Sequence, residues 1–104
     1  MRFYLLLLFF IVEIGSAQDW RNGDAFFSTK PNRKETLTVS WMIVANVQST
    51  CEAVSKKNGL GGFGFALNAC SFWRENTCLI ITSNQTTMHQ IGHELRHCYQ
   101  GSFH

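Results

Sequence analysis

Histidine is missing from the first 88 positions of this 104-residue chain, so imidazole chemistry is confined to the segment from position 89 onward. Other absences narrow the choice of function further. No apolar run reaches the roughly 20 residues that a membrane span requires. The longest, Phe3 to Val12, falls well short of that. There is no internal repeat and no low-complexity tract. Charge is sparse and nearly balanced: nine Lys and Arg against seven Asp and Glu leave a net charge of +2. The basic pairs Arg33-Lys34 and Lys56-Lys57 are isolated, and no basic stripe with interleaved aromatics exists, which argues against binding of nucleic acid. The glycines between Gly59 and Gly64 lack the Lys and Ser/Thr of a phosphate-binding loop. They read as a flexible loop with no nucleotide role.

What is present begins with an export signal. Met1-Arg2 gives a positive start, Phe3 to Val12 an apolar core, and Gly15-Ser16-Ala17 the small residues a signal peptidase cuts after. Glu13, at the end of the apolar run, further disfavours a span. Cleavage is expected after Ala17, leaving one compact domain from Gln18 to His104 in the periplasm or the extracellular medium. No cysteine stands near the cut, so a lipid anchor is not indicated. A domain this small buries a limited share of its surface and needs a covalent or metal staple. The even set Cys51, Cys70, Cys78 and Cys98 fits two disulfides, with three connectivities open. In a eukaryotic host, Asn84-Gln85-Thr86 would be a glycosylation sequon.

Asp19 to Glu35 is polar and aperiodic, contains Pro31, and reads as an irregular arm that Phe26-Phe27 can pin to the core. Leu37, Val39, Trp41 and Ile43 alternate with polar or weakly apolar residues, which predicts a strand. Val47, Cys51 and Val54 recur at helical spacing, with Asn46 or Ser49 as N-cap and Asn58-Gly59 as the stop. Phe65 to Trp73 and Thr77 to Thr82 flank the turn Arg74-Glu75-Asn76 and predict a hairpin. Thr86 or Thr87 can cap a last helix, from about Met88 to Tyr99, that Gly101 ends. The fold class is therefore α+β: a small antiparallel sheet, one early helix and a C-terminal helix, stapled by disulfides.

The chemistry lies in that last helix. His93-Glu94-Leu95-Arg96-His97 is an H-E-x-x-H motif. At 3.6 residues per turn, His93 and His97 share a face and can hold one metal ion, while Glu94 sits about 100° away, placed to take a proton from metal-bound water. Zinc is the expected ion, since it accepts imidazoles in tetrahedral geometry and brings the pKa of bound water toward neutrality. Met88, Ile91, Leu95 and Cys98 form an apolar stripe expected to face the core. His89, His93, Arg96 and His97 form the opposite stripe, and Gly92 leaves room beside the histidines. Cys98 is read as a disulfide partner rather than a ligand. For the third ligand, His104 is preferred: Gly101 can reverse the chain and bring Ser102-Phe103-His104 back to the metal. His89 is the alternative. Three histidines at i, i+4 and i+8 are spread along about 12 Å of helix, so His89 is better placed as a neighbour or substrate contact.

The tail from His93 to His104 resembles the zincin metallopeptidases, and within them the metzincin branch. The resemblance implies His93, His97 and His104 as zinc ligands, Glu94 as general base and Gly101 as the turn glycine. Three residues, not two, separate His97 from Gly101, and no Met-containing turn follows, so a compact divergent zincin is implied. It also implies that the hairpin offers an edge strand on which an extended peptide or protein substrate pairs across the metal. Cys70 and Cys78 flank that hairpin; the connectivity suggested is Cys70–Cys78 and Cys51–Cys98. Tyr99, His89 and Arg74 are candidates for stabilising an oxyanion, against a plain surface or core role for each. Trp20, Trp41 and Trp73 are read as core or interface aromatics. The function expected is an exported zinc peptidase or amidase. The alternatives are an exported zinc-binding adaptor without catalysis and a disulfide-stapled interaction domain without metal.

Overall fold

The computed structural model describes residues 22–26 and 36–104. The signal segment 1–17, Trp20 and most of the polar arm lie outside the described residues. Within them the order is β1 (Thr38–Ile43), α1 (Val47–Lys57), β2 (Ala69–Arg74), β3 (Thr77–Thr82) and α2 (Met88–Gln100). The α+β class and both helices agree with the sequence. No helix among the described residues is long and apolar enough to cross a membrane.

The sheet differs from expectation in one respect. β2 and β3 form the antiparallel hairpin, but β1 joins β3 in parallel, giving a mixed sheet of order β1-β3-β2. The cause is the connection: α1 and the loop after it intervene between β1 and the hairpin, so the strands need not reverse as they would across a tight turn.

α1 starts where Asn46 accepts the Ser49 amide through its side chain at 3.0 Å. It stops at Asn58, followed by Gly59 at φ +73°. Three side chains of α1 tie down the glycine loop that the sequence reads as flexible. Ser55 donates to the Gly61 carbonyl, the Glu52 carboxylate accepts from the Phe63 amide, and Gln48 accepts from the Leu67 amide.

Each helix covers one face of the sheet. Val47 and Cys51 of α1 pack with Cys70 and Ile81, while Cys98 of α2 packs with Cys78 and Ile80. The hairpin register sets this division. Trp73 faces Cys78 across the ladder and Cys70 faces Ile81, so Cys70 and Cys78 project from opposite faces of the sheet. They cannot be bridged, and the suggested connectivity is corrected. Cys51–Cys70 staples α1 to β2, and Cys78–Cys98 staples β3 to α2. Half of the eight buried apolar residues, among the described ones, are these cysteines. The staples thus make up for a core with few large aliphatic side chains. Two disulfides also suit a non-cytoplasmic compartment.

α2 is rotated from the expected orientation. Met88 is 88 % exposed and Leu95 is also exposed, whereas Glu94 is only 4 % exposed beside buried Cys98. The Cys78 bond fixes the Cys98 side of the helix against the sheet. At 100° per residue Glu94 lies close to that side, whereas Met88 and Leu95 are carried about a quarter turn or more away from Glu94.

Candidate metal centre

Thr87 opens α2 by accepting the Gln90 amide at 3.1 Å through its hydroxyl. Gly101 closes it. Its amide donates to the His97 carbonyl at 2.8 Å, and its backbone sits at φ 69°, ψ −137°. That region is open to glycine and strained for any residue with a Cβ. The chain therefore reverses at Gly101, and Phe103 and His104 fold back along the helix.

The reversal brings three imidazoles together. His104 Nε2 lies 2.9 Å from His97 Nε2 and 3.1 Å from His93 Nε2. One nitrogen from each of the three rings falls within 4.8 Å of the others. His89 is outside this group; it is exposed, and its ring lies against Gly23. Two of the three imidazoles come from one helical face and the third from the tail.

The protonation pattern fits a cation. The Gly101 carbonyl can only accept, so the 2.7 Å contact with His97 Nδ1 places the proton on that nitrogen. Neutral His97 then presents a lone pair at Nε2, the atom facing His104. A hydrogen on His104 Nε2 can serve only one of its two neighbours, whereas a metal ion serves all three nitrogens. Ligands at about 2.0–2.1 Å in tetrahedral geometry stand roughly 3.3 Å apart, close to the spacing observed. The described residues therefore form a three-histidine site that can hold a metal ion.

The surroundings favour the neutral form of His97 and His104. Burial lowers the His97 pKa to about 4, reinforced by His93, His104 and Arg96 and only partly opposed by the Gly101 carbonyl. His104 is also lowered, first by desolvation and then by Arg96. Trp73 stacks on His97 with planes 5° apart and centroids at 5.5 Å. The Phe103 ring lies 4.4 Å from His97 and 5.2 Å from His93, and the Arg96 guanidinium sits 4.2 Å above it. Neither aromatic was singled out by the motif. Trp73 could have been found from the register, because it shares a face with Cys78, the partner of Cys98. Phe103 gives no signal beyond its place next to His104.

Glu94 is buried on the β2 side of the helix. Gln90 Nε2 donates to its carboxylate at 3.3 Å, and Ser71 of β2 also hydrogen-bonds to it. Burial raises its pKa, partly offset by those two partners. Of the oxyanion candidates, Tyr99 packs partly buried beside Cys78, Ile80 and Cys98, and Arg74 is exposed at the hairpin turn. No known protein family, curated protein or solved structure matches the chain.

Proposed function

We propose that the protein is an exported zinc-dependent hydrolase of peptide or protein bonds, with His93, His97 and His104 as metal ligands and Glu94 as the general base. The convergence of the three Nε2 atoms, with the His97 tautomer set by Gly101, carries the proposal. Zinc suits three neutral imidazoles, and when bound it polarises a carbonyl and acidifies water. Glu94 supplies a carboxyl whose proton affinity is raised by burial, which favours taking a proton and passing it to a leaving amine. Ser71 and Gln90 hold that carboxyl in place. Trp73 and Phe103 exclude water from the flanks of the ligands. Among the described residues β2 is an edge of the sheet and carries Trp73, which stacks on His97, so an extended peptide can add to it in the manner of a fourth strand. Secretion to the periplasm or the medium agrees with the two disulfides.

One observation favours a second role. All three ligands lie within a twelve-residue segment, and Glu94 bonds toward the sheet, so the metal can also serve as a clasp holding the tail to α2. Metal analysis and peptide-cleavage assays distinguish the two. Wild type should bind one zinc per chain, and His93→Ala and His104→Ala should each lose it. Glu94→Gln should keep zinc and lose cleavage by at least a hundredfold. A wild-type protein that retains zinc and cleaves no peptide in a broad library would leave only the clasp.

A further inference from the structure

α2 carries an apolar stripe of which the core takes up only Tyr99, in part. Met88, Gly92, Leu95 and Tyr99 recur at spacings of four, three and four, so they share one flank of the helix. An apolar helical stripe ordinarily faces the interior. Here Cys98 and Glu94 take the sheet side, and this stripe instead lines a hollow of about 460 Å³ between α2 and residues 22–26. From the 22–26 side, Phe26, which is 94 % exposed, lines the hollow beside the polar Asn22 and Asp24. His93 and Phe103 line the same hollow, so it runs directly into the metal centre. Gly92 lines it too, and a Cβ built there meets nothing within 4 Å. Neither helix packing nor the histidines require a glycine at that position; its effect is to keep the hollow deep.

We propose that this hollow is the recognition pocket of the site and takes a bulky apolar side chain of a polypeptide, an aromatic one above all. Its volume lies in the range of small-ligand pockets, about 300–1,000 Å³. Phe26, Tyr99 and Phe103 offer ring surfaces and Met88 a polarisable thioether, all suited to an aromatic guest. The polypeptide nature of the ligand rests on the hydrolase function proposed above; the pocket's preference for an apolar guest does not.

The test separates binding from turnover. Glu94→Gln protein loaded with zinc is titrated with two acetylated pentapeptide amides that differ only in a central phenylalanine or alanine. The phenylalanine peptide should bind at least tenfold more tightly. Adding Gly92→Leu should abolish that preference while zinc content and the melting midpoint hold. Phe26→Ser, on the opposite wall, should reduce it several-fold without touching the helix. Equal affinity for the two peptides, no binding of either, or a preference that survives Gly92→Leu and Phe26→Ser would overturn the pocket. Absence of cleavage by the Glu94 protein, with the phenylalanine preference intact, would instead sink the hydrolase and leave the pocket standing.

Discussion

Glu94 and His97 show opposite costs of burying an ionisable group three positions apart on one helix. A His97 pKa lowered to about 4 means that the unfolded chain takes up a proton before the folded one does. Its stabilising contribution is complete above the ordinary value of 6.5 and is lost as pH falls through the window down to about 4. Glu94 runs the other way. Its raised pKa means that the unfolded chain ionises first, so it costs stability as pH rises from 4.5 through the raised value. Glu94→Gln keeps an amide for the Ser71 and Gln90 contacts and removes the buried charge. In metal-free protein it should raise the urea midpoint at pH 7, with the gain shrinking toward pH 4, where the wild-type carboxyl is already neutral. A Gln variant less stable than wild type at pH 7 would show that the carboxylate is a net stabiliser and that its burial is not the dominant effect. The motif made Glu94 legible as a candidate base. Its burial was not legible, because the spacing of residues within a helix does not say which flank a distant disulfide will press onto a sheet.

The helix terminus is where one residue governs a whole element. Gly101 ends the hydrogen-bond ladder, accepts from His97 and reverses the chain, all with a backbone geometry that suits glycine. Gly101→Ala should therefore cost about 1–3 kcal/mol and also lose zinc, since His104 no longer returns to the helix. His104→Ala should lose zinc while the metal-free protein keeps its urea midpoint. The pair of variants separates delivery of the ligand from the ligand itself, and a Gly101→Ala protein with full zinc and an unchanged midpoint would mean that the reversal is dispensable. At this scale the sequence was informative. The β1 strand, the Asn46 and Thr87 caps, the Asn58-Gly59 stop and the helix-ending Gly101 all sit where local physics puts them, although β1 is exposed on both faces and shows no alternating burial. The errors came from non-local pairing. Whether β1 joins the hairpin in parallel, and which faces Cys70 and Cys78 occupy, depends on a register that no single segment encodes.

For the whole molecule, the two described helices are held on opposite faces of a thin sheet, each by one disulfide, and the three clustered histidines lie on α2 and the tail that follows it. The two bridges close loops of nearly equal length, with sequence separations of 19 and 20. On chain entropy alone, each should contribute about 3 kcal/mol. Their effects on the metal should differ. α2 has 13 residues, and an isolated helix of that length is marginal in water, so its helicity depends on docking. His93 and His97 can face one ion only while that turn is helical, and His97 is stacked on Trp73 of the sheet. Replacing Cys78 and Cys98 by alanine should lower stability and weaken zinc binding at least tenfold, with a shallower gain in melting midpoint on adding zinc. Replacing Cys51 and Cys70 should lower stability by a similar amount but leave the zinc affinity of the folded protein within about twofold, because α1 packs on the face of the sheet opposite α2. Chelator competition on the two double variants, read at a temperature where both remain folded, makes the comparison. Equal zinc loss in both would mean that the site depends on global stability, whereas zinc retained in both would mean that the segment from His93 to His104 assembles without the sheet.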